Sequence, residues 1–469
     1  MTDLPIAVIG GGIAGLTSAL AIAARGRSCV LLERANRIGG CCATVPHEYG
    51  LLEPGASVVI GAKILDHTWL DLGVSVSDLL LPVRPSVRVN WDKGWIDLPG
   101  PESSLSNFLH QFPVDAHRFV DLLLRARKTA EQLPDALWKF KTDAWPARWK
   151  LAALSPWLIN SYASAINRAV DDPALRRVLA GFSEFYAGVG TRLAPAIFAM
   201  MPALAVLEGC YEVRGGIQRI PERLAKAASR RGVEIKTDTE VLSIRVHNYR
   251  VKSLQTSGGP LLVSGVVAAC DLRTTLRLLP SSVLRFARVR TRIMTPSVRA
   301  FSILGLLQED LNIPPVTWIS GSTHGRSSDT WTLLPFVAVT RGPSSNGTVG
   351  VRIGGAVRGV PRAGWAQSRS DITDRLKGML DNAKIDLPIK HETVWTPEDY
   401  ESHLGLPGGT AFGFSPTRWQ LGPVRYGPST PINNLTVAGQ SCFPGFGLPM
   451  AAFSGKLAAA VLLEASHGS

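Results

Sequence analysis

The sequence predicts an α/β protein of several domains, and three observations predict it. The chain has 469 residues, of which 45% are hydrophobic and 19% charged, a globular balance with material for two or three cores. Residues 5–32 have the pattern of strand, glycine-rich turn, helix and strand. Residues 104–207 show helical periodicity, whereas residues 299–357 alternate apolar and polar side chains as a sheet does.

The first βαβ unit is predicted from its apolar runs. Residues 5–9 are apolar and end in glycine, which indicates a buried parallel strand. Residues 14–24 predict a helix, and residues 28–32 predict a second buried strand. The uncharged stretch 4–24 is also long enough to span a bilayer. Three consecutive glycines in its middle favour strand, turn and helix instead.

A glycine motif, Gly10-x-Gly12-x-x-Gly15, joins this strand to this helix. Gly10 permits the tight turn, Gly12 lets a pyrophosphate approach the backbone, and Gly15 lets helix and strand pack closely. The helix N-terminus offers free N–H groups and a positive dipole end to phosphates. Glu33, at the end of the second strand, can accept hydrogen bonds from ribose hydroxyls and would repel a 2′-phosphate. The motif therefore predicts a Rossmann-like site for the ADP half of a dinucleotide other than NADP.

The middle of the chain is predicted to be an inserted, mainly helical domain. Residues 194–207 hold no charge and are too short to span a bilayer. They suit a core helix or a segment that dips into a membrane interface. Four tryptophans are spaced through the later part of the insert: Trp138, Trp145, Trp149 and Trp157.

The second half of the chain returns to α/β patterning. Residues 220–230 predict an amphipathic helix, and residues 233–236 and 266–269 predict strands. Residues 435–438 predict a last buried strand, and residues 450–463 predict a final helix.

Further motifs give the chain a family resemblance. Ile38-Gly39-Gly40 follows Glu33-Arg34, and Gly55-Ala56-Ser57 comes soon after. The remaining motifs are Arg214-Gly215-Gly216-Ile217, Gly232-Val233-Glu234-Ile235, Thr396-Pro397-Glu398-Asp399-Tyr400-Glu401, Gly405-Leu406-Pro407-Gly408-Gly409 and Pro444-Gly445-x-Gly447-x-Pro449. With them, the chain resembles the phytoene desaturase and carotenoid desaturase-isomerase family within the flavin-containing amine oxidase superfamily. The resemblance covers nearly the whole chain and is loosest at 85–180 and 285–390.

This resemblance implies a fold and a cofactor. The fold is a Rossmann-like, glutathione-reductase-type FAD-binding domain with a β-sheet substrate domain and a helical insert. The implied segments are 1–75, 208–284 and 426–469 for the FAD-binding domain, 76–103 and 285–425 for the substrate domain, and 104–207 for the insert or membrane-contact domain. The implied FAD-binding residues are Gly10, Gly12, Ile13, Ala14, Gly15, Glu33, Arg34, Gly39, Gly40, Cys41, Gly55, Ala56, Ser57, Val241, Gly439, Gly447, Leu448, Pro449 and Met450.

Four positions in or near this set have a chemistry of their own. Cys41 stands where the family usually has Arg or Lys. Gly445 and Gly447 let backbone approach a flat ring, and the helix that starts near Met450 would direct its positive end at a reduced flavin, which raises the reduction potential. Cys442 is either a small buried apolar residue, the favoured interpretation, or a covalent thioether to the flavin.

The implied activity is that of a FAD-dependent oxidoreductase, either a desaturase (dehydrogenase) or an isomerase. Hydride would pass from an apolar substrate, isoprenoid or polyene, to flavin N5. One alternative is a FAD-dependent oxidase of an amine, an amino acid or a secondary-metabolite intermediate. Another is a flavin-free prenyl-lipid carrier, which the intact loop with Glu33 disfavours. No catalytic residue is assigned. The lack of a second G-x-G-x-x-G motif indicates oxygen or a quinone as the electron acceptor.

Charge and cysteines address partners and compartment. The formal net charge is +13, but the basic residues are scattered, which favours a solvated basic surface over a nucleic-acid site. The same charge fits peripheral contact with an anionic membrane. Six cysteines without a regular framework, and no signal-peptide pattern, predict a cytoplasmic protein, at the inner membrane surface if it contacts lipid. Monomer and homo-oligomer both remain open. No metal is expected, because the four histidines considered do not have metal-ligand spacing: His47, His324, His391 and His403.

Overall fold

The computed structural model describes residues 4–91, 94–101, 103–139, 156–308, 314–321, 330–345, 347–422 and 425–465. Its strands, in chain order, are β1 (Ile6–Ile9), β2 (Cys29–Leu32), β3 (Val45–His47), β4 (Gly50–Leu52), β5 (Val59–Ile60), β6 (Leu80–Pro82), β7 (Val87–Trp91), β8 (Gly94–Leu98), β9 (Cys210–Val213), β10 (Glu234–Lys236), β11 (Val241–His247), β12 (Arg250–Thr256), β13 (Gly259–Leu262), β14 (Gly265–Ala268), β15 (Arg299–Gln308), β16 (Val316–Ser320), β17 (Trp331–Ser345), β18 (Thr348–Gly359), β19 (Lys390–Trp395) and β20 (Leu435–Val437). Its α-helices are α1 (Ile13–Ala23), α2 (Ala62–Trp69), α3 (Leu105–Leu109), α4 (Ala116–Lys139), α5 (Pro156–Ile159), α6 (Tyr162–Ala169), α7 (Pro173–Ala187), α8 (Met200–Leu207), α9 (Arg219–Arg230), α10 (Leu272–Leu278), α11 (Arg285–Ile293), α12 (Gly364–Asn382), α13 (Pro397–Leu404) and α14 (Leu448–Ala465).

A five-stranded parallel sheet forms the centre of the predicted dinucleotide domain. Its strand order is β10-β2-β1-β14-β20, and each neighbouring pair is parallel. β1, β2, β14 and β20 are buried along their whole length, as expected for a sheet covered on both faces. The strands and helices predicted at 5–32, 220–236, 266–269 and 435–463 are therefore confirmed, with bounds that differ by one or two residues.

The apolar stretch 4–24 is folded into this domain as β1, the glycine turn and α1. The hydroxyl of Ser18 on α1 donates a 2.9 Å hydrogen bond to the carbonyl of Gly455 on α14, and both helices are largely buried. α14 is itself long and apolar enough to cross a bilayer, but over half of it is buried. It has the character of a core helix.

A seven-stranded mixed sheet lies beside the parallel one, with the order β19-β15-β18-β17-β16-β7-β8. The alternating pattern predicted at 299–357 corresponds to four of its strands, β15 to β18. α12 covers one face by burying Ile372 and Leu376 in a cluster with Val337 and Ile353 of the sheet. The other face supplies part of the cavity described below.

The helical insert is confirmed in its described part, where α3 to α8 lie between Leu105 and Leu207. Residues 196–207 form a short 3₁₀ turn and then α8, and most of their side chains are buried in a large apolar cluster. Residues 196–207 thus have the burial of a core helix, and membrane contact by the segment 194–207 stays a prediction. Trp138 and Trp157 pack at the edges of apolar clusters, whereas Trp145 and Trp149 lie outside the described residues.

Strands from distant parts of the chain meet in each sheet. The parallel sheet takes its strands from the segments 1–75, 208–284 and 426–469, while β7 and β8 join β15 to β19. This pairing is in keeping with the expected order of segments, and the domain bounds themselves stay a prediction.

Candidate cofactor and substrate cavity

One continuous cavity of about 1080 Å³ runs between the two large sheets and the helical insert. At one end it is lined by Glu33 and the glycine loop, and at the other by α4, α5 and α8 of the insert. Eighteen of the nineteen predicted FAD-binding residues line it, because only Gly15 is set back from the wall. The structure therefore brings together residues that the chain separates by more than 400 positions.

Close backbone contact explains why Gly15 is needed although it does not face the cavity. A Cβ atom at Gly15 would collide with the carbonyl oxygen of Gly10 and lie 3.4 Å from the Cβ of Ala269. The third glycine thus lets α1 approach β1 and the loop after β14. The N-terminal turn of α1 then presents Ile13 and Ala14, with their free N–H groups, to the cavity.

Glu33 holds the glycine loop as well as lining the cavity. Its carboxylate accepts a 2.6 Å hydrogen bond from the N–H of Gly11 and a 2.9 Å bond from the N–H of Ala35. An ionised carboxylate has about four lone-pair sites, so acceptors remain for a ribose. Arg34 beside it donates to the carbonyls of Glu401 and Ser402, at the C-terminal end of α13.

The Gly39-Gly40 pair forms a second wall against the glycine loop. The N–H of Gly39 donates a 2.9 Å hydrogen bond to the carbonyl of Gly11, and its φ of +124° suits glycine alone. Cys41 follows, and its carbonyl accepts a 2.8 Å bond from the N–H of Ala56. Burial, with the nearby charge of Asp271, raises the pKa of the Cys41 thiol to about 11. Position 41 is therefore neutral at physiological pH.

The C-terminal turn completes the cofactor part of the wall. The hydroxyl of Ser454 on α14 donates to the carbonyl of Phe443 and accepts from the N–H of Gly439, at 2.8 and 3.1 Å. No atom lies within 4 Å of the position that a Cβ would take at Gly447, so this backbone borders open space. α14 begins at Leu448, which directs its N-terminal end at that space.

Two polar residues of the cavity wall, Arg352 and Tyr400, were not predicted from the sequence as site residues. Arg352 donates to the carbonyls of Pro54 and Gly55, and its Nε donates to Thr340. The hydroxyl of Tyr400 donates to the carbonyl of Pro54 at 2.8 Å and lies 2.7 Å from the hydroxyl of Ser302. Tyr400 belongs to the motif at 396–401, one of those that give the chain its family resemblance, so the motif could have identified it as a site residue. No feature of the local sequence identifies Arg352.

The far arm of the cavity is apolar. Its described lining residues include Leu133, Leu137, Trp157, Ile197, Phe198, Met201, Leu204, Phe412 and Phe446. Phe446 contacts Phe412 and Phe198 with ring-centroid distances of 4.9 and 6.2 Å, so aromatic rings flank the junction with Gly447. Thr129 and Gln132 of α4 stand at the outer rim. Such an arm can take a long hydrocarbon, and these lining residues include no charged side chain.

The next residues to consider are Cys442, the candidate for a thioether to the flavin, and the histidines. Cys442 is fully buried among Val437 and Phe414 and does not line the cavity, as the packing interpretation expects. Burial raises the pKa of its thiol to about 12. The described parts of the chain contain no group of three or more His, Cys, Asp or Glu placed to hold a metal, and His324 lies outside them.

The residues present fit an extended flavin dinucleotide. A carboxylate stands at one end, backbone N–H groups and glycines line the middle, and an open backbone edge with a helix N-terminus stands at the other. The cavity volume of about 1080 Å³ lies just above the usual range for a single-ligand site, about 300–1,000 Å³.

The chain is similar in sequence to known desaturases and in fold to a known oxidase. Hydroxyneurosporene desaturase from Rubrivivax gelatinosus is 25% identical, over 98% of this chain and 93% of its own. The lycopene-forming phytoene desaturase of Pseudescherichia vulneris is 24% identical, over 97% of this chain and 98% of its own. Among solved structures, cyclohexylamine oxidase from Brevibacterium oxydans IH-35A superposes with a TM-score of 0.58 at 16% identity, covering 99% of this chain and all of that one. The model of the FAD dependent oxidoreductase family (DAO) matches residues 5–303, well over half of the sequence. The chain therefore belongs to the FAD-dependent oxidoreductase family.

Proposed function

We propose that this oxidoreductase binds FAD along the cavity and removes hydride from an apolar isoprenoid or polyene substrate held in the far arm. The observation that carries the proposal is the continuity of the cavity. Its glycine-lined part and its apolar arm meet at Phe446 and Gly447, where the ring end of the cofactor would lie. The desaturase relatives support a hydrocarbon substrate.

The residues of this chain would bind, orient and insulate. When bound, the flavin supplies hydride acceptance at N5. The N-terminal end of α14 would stabilise negative charge on a ring bound beside it, because residues 448–451 of its first turn line the cavity. The apolar arm excludes water and fixes a long chain relative to the ring edge, which is the contribution expected where no general base is required.

Anaerobic flavin bleaching tests the proposal directly. Purified protein with bound FAD is mixed with phytoene in detergent micelles, and with cyclohexylamine in parallel. We expect loss of flavin absorbance with phytoene only. Bleaching by cyclohexylamine alone would favour the amine-oxidase alternative. Protein that stays colourless with added FAD would favour the carrier.

We also propose oxygen or a quinone as the acceptor that reoxidises the flavin. The support is the sequence, which contains one G-x-G-x-x-G motif and no second one for a nicotinamide domain. After bleaching, the return of absorbance is followed on adding air, a soluble quinone or NADP⁺. Recovery with NADP⁺ alone would contradict this proposal.

We further propose that the protein contacts an anionic membrane, at the cytoplasmic face of the inner membrane. The supporting surface is a stripe on α11, where Phe286, Val289 and Ile293 are 75, 57 and 77% exposed. The spacing i, i+3, i+7 puts the three on one helix face. Arg285 and Arg292 on the same helix are exposed, which complements anionic headgroups.

The stripe continues toward the apolar arm of the cavity. Gln420 hydrogen-bonds the backbone N–H and carbonyl of Thr295, just past α11, and its neighbour Trp419 is 69% exposed. The N–H of Arg418 donates to the carbonyl of Leu193, which is exposed too. Leu158, close to Gly422, lines the cavity itself. A substrate dissolved in lipid would thus meet the arm at the membrane surface.

Vesicle flotation tests the membrane contact. The double variant Phe286→Ser/Ile293→Ser should float less with vesicles containing anionic phosphatidylglycerol than the parent protein does. Leu262→Ser is the matched control, because Leu262 is also exposed, at 61%, but lies on β13 and not on α11. Equal flotation of the parent and the double variant would remove α11 from the proposal.

A further inference from the structure

The cofactor cavity lacks a cation at position 41. The family that the chain resembles usually has Arg or Lys there, and this chain has a neutral thiol. A dinucleotide diphosphate carries about two negative charges, and backbone N–H groups neutralise them only in part. A second cation facing the same space would therefore change the affinity for the cofactor.

Four arginines line the cavity: Arg34, Arg277, Arg299 and Arg352. Three of them already have hydrogen-bond acceptors. Arg34 donates to the end of α13, Arg277 to the hydroxyl of Thr274, and Arg352 to the carbonyls of Pro54 and Gly55. Within the described ranges, the guanidinium of Arg299 has no hydrogen-bond or ion-pair partner.

Arg299 and Cys41 line the same cavity. It opens β15, forms a backbone bridge with Thr410, and lies near Arg273, which is itself bonded to Asp271 and to the hydroxyl of Thr410. The charge of Asp271 also acts on the Cys41 thiol, so the Asp271–Arg273 pair borders both positions. Ala300, next to Arg299, and Cys41 pack against one apolar cluster that includes Tyr400.

The surroundings of Arg299 disfavour its charge. The side chain is half-buried, and desolvation together with the neighbouring charge of Arg273 lowers its pKa from the usual value. A partly desolvated cation beside another cation costs free energy unless an anion offsets it. Asp271 pairs with Arg273 through both of its oxygens and, among the described residues, makes no ion pair with Arg299.

We infer that Arg299 supplies the counter-charge for the cofactor diphosphate that the side chain at position 41 cannot supply. The inference rests on the proposed binding of FAD. Arg299 is distant in sequence from the glycine motifs and is the first residue of β15 in the seven-stranded sheet. In this arrangement, the cation comes from the start of β15 and not from the loop after Gly40.

The test compares Arg299→Gln, Arg299→Lys and Arg277→Gln in flavin-stripped protein. Dissociation constants are measured for FAD, ADP and adenosine. We expect Arg299→Gln to weaken FAD and ADP by about tenfold or more, since a charge-assisted contact is lost, and to leave adenosine unchanged. Arg299→Lys should keep most of the affinity. Arg277→Gln, which lines the cavity but has its own acceptor, should match the parent.

A rescue variant makes the inference specific. Cys41→Arg/Arg299→Gln should bind FAD and ADP more tightly than Arg299→Gln alone, because it restores one cation to the diphosphate. Unchanged FAD affinity in Arg299→Gln, or an equal loss for ADP and adenosine, would overturn the inference, as would a double variant no tighter than the single one. A selective rise in substrate KM with normal FAD affinity would also overturn it and assign Arg299 to an anionic substrate group. Parent protein that binds no FAD would instead overturn the proposed function.

Discussion

The backbone N–H of Ile217 donates a 2.6 Å hydrogen bond to the buried carboxylate of Glu53. The bond links the segment after β4 to the chain just before α9, across 164 residues of sequence. The hydroxyl of Thr44 lies 3.5 Å from the same carboxylate oxygen. Desolvation outweighs these contacts and the charge of Arg352, so the pKa of Glu53 rises from 4.5 to about 7.

This relationship predicts a pH dependence of stability. Between pH 4.5 and about 7 the folded state keeps a proton on Glu53 that the unfolded chain releases. Stability from this group is therefore present below pH 4.5 and lost as pH rises through 7. Glu53→Gln stays neutral and can still accept from Ile217. Its free energy of unfolding should exceed that of the parent by a margin that grows from pH 5 to pH 8 and reaches about 3 kcal/mol at most, and its melting temperature should rise in parallel.

Glu234→Gln is the control for Glu53→Gln, because Glu234 is exposed on the edge strand β10. Its melting temperature should follow that of the parent at every pH. A constant difference between Glu53→Gln and the parent from pH 5 to pH 8 would contradict the assignment of the titration to Glu53.

Two glycines of the loop should respond differently to alanine. Gly15→Ala places a Cβ against the carbonyl oxygen of Gly10, so we expect a folding defect and a melting temperature several degrees lower. Gly12→Ala meets only the Cα of Gly40, at 4.0 Å, so the flavin-free protein should melt like the parent. The new methyl group would instead occupy the cofactor space and lower flavin content. Equal effects of both variants on melting and on flavin content would show that this separation is wrong.

Glu33→Gln should weaken FAD binding by about tenfold or more. The single amide oxygen of the variant can accept a hydrogen bond from the N–H of Gly11 or of Ala35. Its NH₂ group would face the other N–H and cannot accept from it. Fluorescence titration with FAD measures the effect. Glu240→Gln, on another lining carboxylate, is the control and should bind like the parent. The role of Glu33 would be refuted by matching affinities for Glu33→Gln and Glu240→Gln.

A large side chain at the outer arm should block the substrate and spare the cofactor. Leu133 lines the cavity from α4, so Leu133→Trp should slow anaerobic flavin bleaching by phytoene about tenfold or more while flavin content stays normal. Leu124→Trp on the same helix is the control, because Leu124 is half exposed. If Leu133→Trp bleaches at the parent rate, the substrate enters by another route.

The cofactor wall was predictable because its chemistry is local. Gly10, Gly12 and Gly15 combine with flanking apolar strands in a spacing that few other sites need, and Glu33 follows from the length of one βαβ unit. The strands of the parallel sheet were predictable for the same reason, because a strand that is buried on both faces has a short, continuous apolar sequence.

The substrate end was less predictable, because its residues act through tertiary contacts. Arg352 and Arg299 lie on neighbouring strands of the mixed sheet, β18 and β15, and no motif marks either position. Residues 194–207 are apolar for the core of the insert, and composition alone does not tell such a helix from an interfacial one. The exposed stripe on α11 is short, and Ala287 on its buried side obscures the pattern.

The parallel sheet also constrains how the protein is made. β1 and β2 are synthesised before the helical insert, whereas their neighbours β10 and β14 follow it, and the edge strand β20 comes later still. Until those strands are made, the pair of β1 and β2 has two apolar outer edges without partners, which is a hazard for aggregation. Because the segment after β20 completes the cavity wall, a dinucleotide can be enclosed only after that segment has been synthesised.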